Sequence, residues 1–152
     1  MEKTIKSILI ADDTTENLHL LADFLIDEGY QIRTVTSGAL AIKAVETAIP
    51  DLILLDIRMP GIDGYEVCKQ LKKNDVTKNI PIIFLSGLID PNEKEKAYQL
   101  GGDDYLSKPF DSNELIIKVK NLINLSITRK SIEKLQLEIV KLTNKITELE
   151  KA

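Results

Sequence analysis

The sequence predicts an α/β fold: a doubly wound, five-stranded parallel sheet, with a long C-terminal helix extending into a coiled coil. Three observations carry this. Short apolar runs such as Ile8-Leu9-Ile10, Leu52-Ile53-Leu54-Leu55 and Ile82-Ile83-Phe84-Leu85 alternate with segments of helical apolar spacing. Strands joined through helices need crossover connections, so their neighbours are parallel and both faces are covered. The runs also stop abruptly at polar residues, Asp12-Asp13, Asp56 and Ser86. From Leu125 onward, apolar residues repeat every seven positions.

The first strand is read over Ile5–Ala11. Thr14 or Thr15 caps a helix whose apolar positions are Leu18, Leu21, Ala22, Leu25 and Ile26, and Gly29 supplies its stop. Tyr30–Val35 is the second strand. Ser37 caps a second helix carrying Leu40, Ala41, Ala44 and Val45, which ends before Pro50. Asp51–Gly64, DLILLDIRMPGIDG, is a strand buried on both faces that ends in Asp56, then a turn forced by Pro60, Gly61 and Gly64. A helix over 64–73 and a polar loop through Asn79 follow. Pro81–Ser86 is the fourth strand; Asp90 caps a fourth helix with Pro91 at its first position, and Gly101-Gly102 end it. Asp104–Leu106 is a short fifth strand, and Asp111 or Ser112 caps the last helix, with Leu115, Ile116, Val119, Leu122 and Ile123 facing inward. Each strand is expected to be apolar on both faces.

The receiving body is expected over residues 1–124 and the helical extension over 125–152. The seam of the extension is Leu125, Ile132, Ile139 and Ile146 at one heptad position and Thr128, Leu135, Leu142 and Leu149 at the other. Ile and Leu in those places favour a parallel two-stranded coiled coil, hence a homodimer, with Lys145 facing Glu150 of the second copy. The alternative is an amphipathic helix folding back on its own domain. No glycine or proline separates the seam from the last helix, so one continuous helix is expected.

The chain has 152 residues, enough for one domain with an appendage. The formal charge of −4 argues against a nucleic-acid surface, which needs clustered cations, and no direct nucleic-acid binding is expected. Cys68 is the single cysteine; it is read as a packing residue, and its lack of a disulfide partner fits a reducing, cytoplasmic compartment. No apolar run approaches the ~20 residues that span a bilayer, so no membrane is expected. His19 and the run Glu93-Lys94-Glu95-Lys96 are read as solvated surface. The stop in mid-heptad leads us to expect a fragment of a longer protein; the alternative is a complete dimerising scaffold.

In a parallel sheet the ends of strands one, three, four and five share one edge, so Asp12, Asp13, Asp56, Ser86 and the Lys108-Pro109 pair converge. Clustered carboxylates repel unless a cation joins them. All-oxygen ligands suit Mg²⁺, and a carboxylate beside it can attack phosphorus to give an acyl phosphate. Lys108 and the Ser86 hydroxyl would then orient the transferred charge. Each of these residues alone has a plainer reading as cap, turn or surface charge; the joint placement is what carries weight.

The set Asp12-Asp13, Asp56 within DIRMPGIDG, Ser86-Gly87 and Lys108-Pro109-Phe110 closely resembles the receiver domain of two-component response regulators, over about residues 5–123. The resemblance implies a flavodoxin-like fold with strand order 2-1-3-4-5. It implies phosphorylation of Asp56 by a sensor histidine kinase or histidine phosphotransfer protein, in a phosphoacceptor that is not otherwise an enzyme, and, for a fragment, a kinase, cyclase or phosphatase module downstream. It implies Mg²⁺ held by Asp13, Asp56 and the backbone carbonyl of Arg58, with Asp12 acting through water. It also implies a Lys108 contact to the phosphoryl group, a cis Lys108–Pro109 peptide, and Ser86 and Tyr105 as switch residues whose ring turns inward on phosphorylation. Gly87 departs from the more usual alanine, and Arg58 lies two residues past the acceptor. A haloacid-dehalogenase-like phosphatase is the competing enzyme reading. Its acids would stand as Asp-x-Asp after the first strand, whereas here they are adjacent.

Overall fold

The computed structural model describes residues 4–87 and 91–151. Ten elements alternate: β1 Ser7–Ala11, α1 Thr15–Ile26, β2 Gln31–Val35, α2 Gly38–Thr47, β3 Leu52–Asp56, α3 Gly64–Lys73, β4 Ile82–Ser86, α4 Pro91–Gln99, β5 Asp104–Ser107 and α5 Ser112–Glu150. The strands form one parallel sheet in the order β2-β1-β3-β4-β5. Asp90, expected to cap α4, lies outside the described residues.

The period-two alternation of the inner strands divides the core. Ile8 and Ile10, Leu52 and Leu54, Ile83 and Leu85, and Leu106 face α1 and α5, where they meet Leu18, Leu21, Leu25, Leu115, Val119 and Ile123. Leu9 and Ala11, Ile53 and Leu55, Ile82 and Phe84, and Tyr105 face the opposite side, against Ala41, Val45, Val67, Cys68, Leu71 and Ala97. Full burial of a Leu or Ile side chain contributes about 1.5–3 kcal/mol, so the three central strands dominate the favourable side of folding.

Not every strand is apolar on both faces. The edge strand β2, Gln-Ile-Arg-Thr-Val, has no fully buried residue. Having a neighbour on one side only, it tolerates polar side chains, and Arg33 uses the edge to cap α2. Its Nη1 and Nη2 donate to the Ala44 and Ala48 carbonyls at 2.9 and 2.6 Å. Ile26 and Leu40, expected inside, are exposed, because each sits at the rim of its helix's apolar stripe. Neither Thr14 nor Thr15 caps α1 with its side chain; Thr14 stands at the N-cap, and its N–H donates instead to Asp12 Oδ1 at 2.9 Å. Ser37 caps α2 through the Leu40 N–H, and Asp111 caps α5 through the Asn113 and Glu114 N–H groups.

Helix α5 runs unbroken for 39 residues, about 60 Å. It does not fold back: the seam residues are exposed, from 50 % at Ile132 to 70 % at Leu149. Among the described residues no helix is long and apolar enough to cross a membrane.

The turn after β3 is tight for a steric reason. A Cβ on Gly64 would lie 2.3 Å from the Asp56 carbonyl oxygen and 2.9 Å from Ile57 Cα, whereas one on Gly87 would meet nothing within 4 Å. Gly64→Ala should therefore lower unfolding free energy by about 1–3 kcal/mol, and Gly87→Ala should stay within about 0.5 kcal/mol of the parent. Urea titrations of both variants, compared by midpoint at equal slope, check this.

Candidate functional site: an acidic pocket at the carboxyl edge of the sheet

Register alone assembles the pocket. Ala11 pairs with Leu55, so Asp12 emerges beside Asp56. Ser86 pairs with Ser107, so Lys108 emerges beside Ser86. A backbone hydrogen bond from the Lys108 N–H to the Ser86 carbonyl, 2.8 Å, ties the two ends together. Asp12, Asp56 and Ser86 are buried and Asp13 is exposed. One carboxylate oxygen from each of Asp12, Asp13 and Asp56 lies within 4.8 Å of the others.

Lys108 Nζ reaches across the cluster, 3.5 Å from Asp12 Oδ2 and 3.5 Å from Asp56 Oδ1. Asp12 is also held from its own helix: besides the Thr14 N–H, it accepts from Asn17 Nδ2 at 3.2 Å. Asp56 Oδ1 accepts the Arg58 N–H at 3.3 Å. Burial pushes the Asp56 carboxyl up to about 6, and the Asp12 charge adds to this; Lys108 and the Arg58 N–H pull the other way without winning. One ammonium is thus too little positive charge for this set of acids. A hard divalent cation with oxygen ligands is the group that the donor set fits.

Asp13, Asp56, Arg58, Ser86, Gly87 and Lys108 line a cavity of about 300 Å³ that opens to solvent. The structure thus brings together every residue expected at the pocket. The Lys108–Pro109 peptide is cis. Tyr105, on β5, is only 3 % exposed, so its ring already lies inward, with Lys94 Nζ 5.3 Å above it.

A sequence profile of the response regulator receiver domain matches residues 8–120. The chain belongs to the response regulator receiver family. It is 39% identical over 121 residues to the alkaline phosphatase synthesis transcriptional regulatory protein PhoP of Bacillus subtilis, covering 80% of this chain and 50% of that protein. It is 34% identical over 120 residues to the response regulator PleD of Caulobacter vibrioides, covering 79% of this chain and 26% of that protein. The chain thus spans between a quarter and a half of these curated relatives. Among solved structures, a putative response regulator from Chloroflexus aurantiacus superposes with a TM-score of 0.77 at 35% identity, covering 80% of this chain and 99% of that one. NtrX from Brucella abortus reaches 0.81 at 28% identity, covering 87% of this chain and 30% of that one.

Four contacts escaped sequence reasoning. Asn17, five residues past Asp12, holds that acid from the first turn of α1; its signal was a polar residue on the turn facing the strand ends. Glu93 is not simply solvated: its Oε1 lies 3.5 Å from Arg58 Nη2. Lys94 and Lys96 of the same run rest over the rings of Tyr105 and Tyr65. Only the fold reveals which helix turn faces the β3–α3 loop. Cys68 is a packing residue, its thiol pushed up to about 11 by burial, with Sγ 3.4 Å from the Leu100 carbonyl.

The raised Asp56 pKa has a sign that can be tested. Its folded value lies above its unfolded one, so the metal-free folded state is favoured when Asp56 is protonated. That advantage is full below about pH 4 and is lost as pH rises through about 6. Asp56→Asn should stabilise the metal-free protein at pH 7 by about 1–3 kcal/mol, and the difference should shrink towards zero near pH 4. Paired thermal melts in chelator at the two pH values measure it.

Proposed function

We propose that this receiver domain is the phosphoacceptor of a two-component relay and that Asp56 takes the phosphoryl group from a sensor histidine kinase or a histidine phosphotransfer protein. The single observation that carries this is the convergence of Asp12, Asp13 and Asp56 with Lys108 and Ser86 around one solvent-open cavity.

In the transfer, an Asp56 carboxylate oxygen forms the new bond to phosphorus. The bond from phosphorus to the donor imidazole nitrogen breaks, and its electron pair stays on that nitrogen. Lys108, already 3.5 Å from Asp56, neutralises charge on the incoming phosphoryl oxygens, and the Ser86 hydroxyl orients one of them. Asp13, Asp56 and the Arg58 carbonyl would hold Mg²⁺, with Asp12 acting through water. Bound there, the ion would supply the positive charge that the acids lack. The domain assists this reaction on itself and has no other substrate.

Residues 1–124 are read as the receiver and 125–152 as a dimerising extension. The exposed heptad seam supports a parallel pair of helices, because an apolar stripe of this length is otherwise left in water. The phosphorylated pocket would act on it through Ser86, Tyr105 and the face formed by α4, β5 and α5. PhoP and PleD are longer proteins, of which this chain spans 50% and 26%.

Incubation with Mg²⁺ and a small acyl phosphate should add one phosphoryl group by intact mass. Asp56→Asn should reduce the labelling at least about a hundred-fold, as loss of a nucleophile does; undiminished labelling would overturn the assignment. In sedimentation, the parent should dimerise with rising concentration. Ile139→Glu, which puts a charge at the middle of the seam, should weaken that dimer at least about ten-fold.

A further inference from the structure

Beside the acidic pocket lies a second polar cluster, where the β3–α3 loop meets α4. Arg58 belongs to both. It lines the cavity with Asp13, Asp56, Ser86 and Lys108. Its Nη2 also reaches Glu93 Oε1, on the first turn of α4, at 3.5 Å. That contact is single and long for a charge-assisted pair, and the Arg58 side chain is 69 % exposed. A guanidinium has five donors in a fork, so this grip occupies little of it.

Glu93 is held far more firmly. Its side chain is 23 % exposed, and its Oε2 is buried with no hydrogen-bond partner among the described residues. Tyr65 packs against the same turn, its hydroxyl 3.5 Å from the Glu93 carbonyl and its ring 5.6 Å from that of Phe84. Lys96, the other cation lining this groove, rests 4.4 Å above the Tyr65 ring. A carboxylate with an orphaned, buried oxygen has strong reason to keep a cation close. The arrangement is therefore a largely covered carboxylate facing an exposed guanidinium.

We propose that Glu93 is a positioning residue that competes with phosphorylated Asp56 for the Arg58 guanidinium and so sets how long the phosphoryl group survives. The proposal rests on the reading of Asp56 as the phosphoacceptor. Before phosphorylation, Lys108 serves Asp12 and Asp56, and Arg58 is drawn to Glu93. Phosphorylation adds about 1.5–2 negative charges and three acceptor oxygens to the cavity that Arg58 already lines. The fork then has a second, better acceptor, one it can grip with two donors.

The consequence is chemical. In hydrolysis, a water oxygen forms the new bond to phosphorus. The bond from phosphorus to the Asp56 oxygen breaks, leaving its electron pair on the carboxylate, and inorganic phosphate leaves with the proton released to solvent. The water must come in line, from the open side of the cavity. A guanidinium on the phosphoryl oxygens obstructs that approach, and Glu93 draws it away. Glu93 thus shortens the lifetime without touching the reacting atoms.

The test follows decay of the phosphoryl group. The parent, Glu93→Gln, Arg58→Ala and the double variant are loaded with a small acyl phosphate and Mg²⁺. The donor is then removed, and loss of the group is read by intact mass. Glu93→Gln keeps the shape and removes the charge; it should slow decay about two- to five-fold, the range expected for releasing an exposed ion pair. Arg58→Ala should speed decay, and adding Glu93→Gln to it should change nothing further, because the two residues act through one contact. Should Glu93→Gln load poorly, Glu93→Ala must slow decay in the same way. Failure of the parent to load would overturn the phosphoacceptor reading itself. Normal loading with unchanged or faster decay in Glu93→Gln, or slowing that persists without Arg58, would overturn the role of Glu93.

Discussion

The constraint on which this molecule turns is the cost of two buried carboxylates side by side at the end of a parallel sheet. Asp12 and Asp56 are brought together because β1 and β3 are neighbours in register, and neither can retreat, since each continues a fully buried strand. The surroundings answer that cost piecemeal. Asn17 and the Thr14 N–H share Asp12, the Arg58 N–H and Lys108 share Asp56, and the total remains short of neutral. A site left electrically unsatisfied by its own fold is ready for positive charge. The hydrophobic layers on both faces are the scaffold that makes this concentration of charge tolerable.

The elements that read plainly in the sequence were those where local chemistry and the global fold agree. Leu52–Leu55 is apolar because both faces are covered, and the run stops at Asp56, still buried, because there the strand reaches the acidic pocket. Ser37 and Asp111 cap helices as their side chains allow anywhere. Misreadings arose where a residue answers to two demands. Thr14 had the chemistry of a cap, yet Asp12 accepts its N–H, so the acid serves the helix as well as the pocket. β2 was expected to be apolar on both faces like the other strands, but an edge has one partner, and Arg33 uses that freedom to bind α2. Glu93 could not be found from its run of alternating charges. What distinguishes it from Glu95 is which turn of α4 faces Arg58, and that depends on helix phase set by Ala97 in the core.

The link from pocket to extension passes through few contacts. Lys118 of α5 pairs with Asp104 of β5 at 3.1 Å and donates to the Tyr105 carbonyl. Burial alone would lower the Lys118 pKa, but Asp104 and Glu114 outweigh it and raise it, so the ammonium stays charged and the tie stays in place. β5 in turn is bound to β4 through the Lys108 N–H and the Ser86 carbonyl. Two polar links thus join the Ser86 end of β4 to α5, beside the apolar packing of Leu106 with Leu115 and Val119.

Helix α5 carries two stripes, and their relative position explains how one helix serves a core and then leaves an apolar seam exposed. The domain-facing stripe runs through Leu115, Val119 and Ile123 and continues beneath the sheet through Ser126, Lys130 and Lys134, which line a cavity with Lys6 and Asp51. Those last three residues occupy heptad positions opposite the seam of Leu125, Ile132, Leu135 and Ile139. Ile127 apart, the side of the helix turned towards its own domain is thus polar, and the side turned away is apolar, just where the helix leaves the core. A fold-back would have to bury Lys130 and Lys134 or twist the helix by half a turn, and α5 holds its phase without a glycine or proline to permit such a twist. The extension projects because the last turns of the receiver core set the helix's phase, and that phase sends the seam outward.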